Sequence, residues 1–202
     1  MIPEEIHSKL VEKWKGRKYA TRERVEERER HLEGLLPLLA GKEVLELGSN
    51  AGVTAYDVCK YAKGYVGVEP DKDHYEQALL MMPHLPQGGA FMHGSLQDYL
   101  GSCEGNHNAL IVCIALYLLS RKEVDLLESG VLPKCDVVII QERTAKRPCR
   151  ENYNPLKLHK PKNIVKLLER NGFDACVYYS AKKKYFEVIG ANKGNGTSRP
   201  VR

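Results

Sequence analysis

The sequence predicts an α/β fold: a doubly wound, mostly parallel sheet with helices on both faces. Three observations carry this. Short apolar runs alternate with amphipathic segments along most of the chain. Residues 109–115 are continuously apolar, as suits the centre of a sheet covered on both sides. A glycine-bounded apolar run, 42–47, leads directly into a turn and a helical segment. The 202 residues are enough for one domain of ordinary size.

The elements follow in order. Residues 1–40 read as a helical segment, because Val25, Leu32, Leu35, Leu36 and Leu39 recur at helical spacing among Arg and Glu. The α/β domain occupies 41–190. Its first strand is 42–47 and a helix follows over 51–61. Residues 65–69 form a second strand, and a helix from about 72 to 82 ends at Pro83 and Pro86. A short third strand falls at 90–93 and the apolar fourth at 109–115. Ser120-Arg121-Lys122-Glu123 has the form of a capping box and opens a helix. Residues 136–141 are a fifth strand. The polar segment 143–159 is a loop of a length that tends to serve function. Pro161 in a first turn, Ile164, Leu167 and Leu168 on one face, and Gly172 past the end define another helix. Residues 175–179 and 185–189 pair around a Lys182-Lys183-Lys184 turn, and 191–202 is a flexible tail.

Composition excludes other classes. Apolar residues make 43% and charged residues 28%, a globular balance. The longest apolar run, 109–119, is about half the ~20 residues of a membrane-spanning helix, so no membrane partner is expected. The N-terminus has no apolar stretch behind a basic start, which argues against a secretory signal. Six scattered cysteines without a C-x-x-C pair predict neither a metal site nor a disulfide framework. A reduced, cytoplasmic protein is expected. The net charge of +5 is unevenly spread. Residues 134–202 carry 16 Lys/Arg against 6 Asp/Glu, whereas 1–133 carry 15 against 20. A basic third favours an anionic partner, nucleic acid above all.

In open α/β sheets, ligands bind beyond the carboxyl ends of the strands. The first such turn is Glu46-Leu47-Gly48-Ser49-Asn50-Ala51-Gly52. Gly48 lets the backbone bend sharply beside a ligand, and Gly52 permits close packing as the helix starts. The G-x-x-x-G spacing is neither the dinucleotide fingerprint nor a phosphate loop. Glu69 ends the second strand in Gly67-Val68-Glu69-Pro70-Asp71. A carboxylate there can accept from both hydroxyls of a ribose. Turn and acid together suit a nucleoside without a diphosphate.

These motifs, V-L-E-L-G-S-N-A-G and then G-V-E-P-D, resemble the class I S-adenosylmethionine-dependent methyltransferase superfamily over about residues 41–190. The resemblance implies a seven-stranded sheet with one antiparallel strand near the C-terminus. It implies S-adenosyl-L-methionine as cofactor. Glu46, Gly48, Ser49, Asn50 and Gly52 would hold its methionine end, and Glu69 with Pro70 its ribose. Ser95 and Leu96, with Ile114 at the end of the fourth strand, would line the rest of the site. Asn50 stands where many members have glycine, and Asn tolerates that conformation better than other residues. The N-terminal segment, with Tyr19 and Arg22, would pack on the core or cover the cofactor.

Residues 114–117 contain no [DN]-P-P-[YFW], so the likeness to amino-group methylases of adenine or glutamine fails there. Methyl transfer from a sulfonium needs alignment and a dry site, and needs a base only for a weak, protonated acceptor. Candidates for catalysis are Glu142, directly after the fifth strand, with His159 and Tyr117. Arg143, Tyr153 and Lys160 are candidates for substrate binding. The favoured reading is a methyltransferase acting on RNA. A small-molecule O- or N-methyltransferase is the alternative, and an inactive methyltransferase-like binding subunit the third. The oligomeric state is not specified by the sequence.

Overall fold

A computed structural model describes residues 32, 34–102, 106–113, 115–116, 119–143, 158, 160–179 and 185–195. The expectations placed on Tyr19, Arg22, Val25, Ile114, Tyr117, Tyr153, His159, the lysine turn and most of the 143–159 loop lie outside these residues, as does the Arg143 side chain. The chain divides into two compact units, Met1–Ser95 and Leu96–Arg202. Seven strands form a mixed sheet in the order β3-β2-β1-β4-β5-β7-β6, with β7 the antiparallel member.

In the first unit Leu32 is helical, and a 3-10 helix follows at Leu36–Leu39 rather than a continuing α-helix. Pro37 explains this, since it has no N–H to donate along a helix. Leu36 and Leu39 are buried, as their spacing predicts. β1 (Glu43–Leu47) pairs in parallel with β2 (Gly64–Glu69), and β2 with β3 (Ala90–His93). Helix α1 (Val53–Val58) follows β1 and is shorter than predicted. Helix α2 (Lys72–Met81) follows β2. Its N-cap is Asp71, whose carboxylate accepts from the His74 backbone N–H at 3.0 Å.

The second unit starts with helix α3 (Leu96–Ser102), which the sequence reading passed over. β4 (Ala109–Cys113) is buried along its whole length and runs parallel to β5 (Val137–Arg143). Helix α4 (Arg121–Leu126) opens on the predicted reciprocal capping box of Ser120 and Glu123. Helix α5 (Pro161–Arg170) buries Ile164, Leu167 and Leu168 and exposes Lys162 and Lys166. β6 (Phe173–Tyr179) and β7 (Tyr185–Asn192) are antiparallel, and β7 is antiparallel to β5 as well. Two residues of the segment expected as a tail, 191 and 192, belong to β7. No helix among the described residues is long and apolar enough to cross a membrane.

Candidate functional site

The loop after β1 takes its shape from three left-handed residues: Gly48 at φ 71°, Asn50 at φ 53° and Gly52 at φ 73°. Asn50 is the only non-glycine of this kind among the described residues. Its side chain offsets part of the strain, since Oδ1 accepts the Ala51 N–H at 2.8 Å and Nδ2 lies 3.4 Å from His74 Nδ1. The loop is tied to the neighbouring strand, because Gly48 and Ser49 both donate their N–H to the Val68 carbonyl, at 2.9 and 3.2 Å. A Cβ on Gly52 would sit 2.7 Å from the Phe91 ring and 3.3 Å from Ala78. Close packing at the start of α1 thus requires this glycine, as the sequence suggested.

Glu69 joins the two predicted elements. Its Oε2 accepts the Asn50 N–H at 2.7 Å, and its Oε1 accepts the Asp71 N–H at 2.9 Å. The residue is 5% exposed. A carboxylate offers about four lone-pair positions, so about two are left for the hydroxyls of a ribose. The β3 end comes to the same place, since the Gly94 N–H donates to the Glu69 carbonyl at 3.1 Å. Pro70 keeps the strand from continuing, and its carbonyl lies 3.2 Å from His93 Nε2. His74 Nδ1 is 4.0 Å from Glu69 Oε1 and 3.7 Å from Asp71 Oδ1.

Two features fit the loop to a nucleoside cofactor. The Ser49 hydroxyl is buried without a hydrogen-bond partner among the described residues. The Glu69 carboxylate is positioned by backbone amides and has acceptor capacity left. Its charge disfavours a phosphate in the same place.

The remaining cofactor candidates are placed as follows. Glu46 is fully buried within β1, and the Tyr65 hydroxyl donates to its Oε2. Burial pushes the nearby Cys59 thiol up to about 12, with the Glu46 charge adding to the effect. Ser95 is half-buried directly before α3, and Leu96 is buried at the start of that helix.

In the second unit, Glu142 does not follow β5 but lies inside it. The antiparallel partner extends the strand, because Glu142 pairs with Phe186 and Arg143 with Tyr185. The Glu142 side chain is 2% exposed, and its Oε1 accepts the Leu116 N–H at 2.9 Å. It therefore braces the segment after β4 from within the strand, whereas the sequence places it directly after the strand's end. Lys160 is exposed and precedes the first residue of α5. A buried pair, Gln141 and Glu187, was missed; the available signal was one polar residue interrupting each of the runs VVIIQ and YFEVIG.

No family description and no curated protein sequence matches the chain. Solved structures do. Magnesium protoporphyrin IX methyltransferase from Synechocystis PCC 6803, with bound SAM, aligns with a TM-score of 0.65 and 14% identity over 93% of each chain. A SAM-dependent methyltransferase from Archaeoglobus fulgidus aligns at 0.62 and 15% identity, over 91% of this chain and 99% of that one. A candidate RNA methyltransferase from Pyrococcus horikoshii aligns at 0.59 and 15% identity, over 87% of each chain. The chain has the class I S-adenosylmethionine-dependent methyltransferase fold.

Proposed function

We propose that the chain is an S-adenosylmethionine-dependent methyltransferase whose acceptor is RNA. The observation that carries the first part is the hydrogen bond from the Asn50 N–H to Glu69 Oε2, which brings turn and acid together at 2.7 Å. In this reading Glu69 accepts from the ribose hydroxyls, and Asn50 and Asp71 hold its carboxylate in place. Ser49 lends its hydroxyl to the cofactor, and Glu46 supports the loop from within β1. The cofactor, when bound, supplies an electrophilic methyl group and a thioether leaving group. The chain's work is then alignment and exclusion of water. Glu142 contributes by fixing the backbone at Leu116.

RNA as acceptor is supported by the excess of 16 Lys/Arg over 6 Asp/Glu in residues 134–202. The Pyrococcus structural neighbour, a candidate RNA methyltransferase, agrees with it. The Synechocystis neighbour favours a second reading, a small-molecule acceptor. Intact Gly48, Gly52 and Glu69 weigh against an inactive subunit. The free cysteines among the described residues support a reducing, cytoplasmic setting.

The test is transfer of labelled methyl groups to separated RNA, protein and metabolite pools. Label in RNA, falling steeply as salt rises, is the expected result. Label confined to metabolites establishes the second reading instead.

A further inference from the structure

Four strands of the second unit align one row of side chains near the carboxyl end of β5. Cys113 stands opposite Gln141, Gln141 opposite Glu187, and Glu187 opposite Tyr178. Residues paired across strands share a face of the sheet. β7 runs antiparallel, so Glu187, near its start, reaches the same end as Gln141 near the end of β5. Helix α5 packs on the opposite face. A Cβ on Gly190 would meet Leu168 at 3.0 Å, and Gly190, three residues from Glu187, points the other way.

This row breaks the pattern around it. Val138, Ile139, Ile140, Val188 and Ile189 are buried and apolar, whereas Gln141 is 0% and Glu187 4% exposed. Gln141 Nε2 donates to Glu187 Oε1 at 3.1 Å. Gln141 Oε1 is buried with no partner among the described residues. Burying an amide carbonyl without a donor costs stability, and a polar pair set against the local pattern is the kind of conflict expected at functional or strained sites. At the outer edge of the row, Tyr178 is 40% exposed.

What the row offers a ligand follows from its chemistry. Gln141 commits a donor to Glu187 and presents an acceptor, and an ionised carboxylate only accepts. The complementary partner is an edge with adjacent N–H donors. Among the four RNA bases, only guanine has two neighbouring donors on its Watson–Crick edge, the ring N1–H and the exocyclic amino group. Single-stranded bases are read on such edges while stacked on aromatic rings, and Tyr178 supplies a ring beside the polar pair. The geometry points to a guanine-recognition subsite formed by Gln141, Glu187 and Tyr178. It rests on the RNA reading above and names the base that reading leaves open.

The test uses the full chain and two short, unstructured, fluorescein-labelled RNAs, one containing guanine and one with adenine in its place. Fluorescence anisotropy should show at least about tenfold tighter binding of the guanine RNA. Glu187→Gln and Gln141→Leu should bring the two RNAs to within about twofold of each other, with calorimetric affinity for S-adenosylmethionine unchanged. Tyr178→Ala, at a 40% exposed position on the edge strand, should weaken both RNAs alike. Equal binding by the wild type, or discrimination that survives in Glu187→Gln, overturns the subsite. Methyl transfer to the same RNAs separates the two claims. Discrimination without transfer overturns the RNA methyltransferase reading and upholds the subsite. Transfer without discrimination does the reverse, and no binding of either RNA overturns both.

Discussion

Replacing Glu69 by alanine separates what this residue does for the fold from what it does for the cofactor. The carboxylate accepts from two backbone amides, Asn50 at 2.7 Å and Asp71 at 2.9 Å, in a partly buried setting. An amide left without its acceptor costs about 1–3 kcal/mol. Both sites retain some access to water, so the lower figure applies to each, and the loss of stability is about 2 kcal/mol. For a chain of this size that lowers the thermal midpoint by roughly 4–8 °C. The effect on the cofactor is larger. Two hydrogen bonds from ribose to a charged acceptor contribute about 1.5–3 kcal/mol each. Their loss weakens S-adenosylmethionine binding on the order of a hundredfold or more. Glu69→Gln keeps one carbonyl oxygen and so recovers part of the stability, but it presents an N–H group where a second acceptor is needed. It should therefore fold better than Glu69→Ala while still binding the cofactor poorly. Calorimetric titration at a temperature where all three proteins are folded, beside urea unfolding, measures both quantities. Affinity of Glu69→Ala within about threefold of wild type would refute the ribose assignment.

Three further outcomes are expected. Asn50→Val should lower stability in urea by roughly 1–2 kcal/mol, because a β-branched residue pays the full cost of φ 53°; Asn50→Gly should stay near wild type. Glu142→Ala removes the acceptor of the Leu116 N–H and should cost about 1–3 kcal/mol in urea unfolding, with Glu142→Gln closer to wild type because an acceptor oxygen is retained. His107 is held below the usual histidine range, chiefly by burial and secondarily by the Lys134 charge, with a backbone hydrogen bond at Val131 opposing. Its neutral form therefore stabilises the fold fully above the unfolded histidine value, and that contribution is lost as pH falls from there through the lowered folded value. The urea midpoint should drop as pH falls below the ordinary histidine value of about 6.5, and His107→Gln should reduce that drop.

Parts of this architecture could be read from the chain. Strands β1 to β5 announce themselves as apolar runs between glycines and polar turns, and the S-x-x-E box before α4 is local chemistry that the structure reproduces. The loop with Gly48 and Gly52 and the acid Glu69 could be paired in advance because consecutive parallel strands place successive turns side by side. Helix α3 was passed over because seven residues, of which Leu96 and Tyr99 are the buried ones, are too few to display a helical period. The position of Glu142 was misjudged by a different route. The strand's end is set by its antiparallel partner, whose pairing of Arg143 with Tyr185 spans more than forty residues. The Gln141–Glu187 contact is of the same kind, separated by 46 positions and visible only once the register is known.

The claim beneath the whole account is that the loop 48–52 and Glu69 together receive a sulfonium nucleoside. Titrating the isotopically labelled protein with S-adenosylmethionine, and following backbone amide resonances, addresses it directly. The amides of residues 48–52 and 69–71 should shift together and saturate at one common ligand concentration, while ATP leaves them in place. Shifts confined to other residues, or equal responses to ATP, would contradict it.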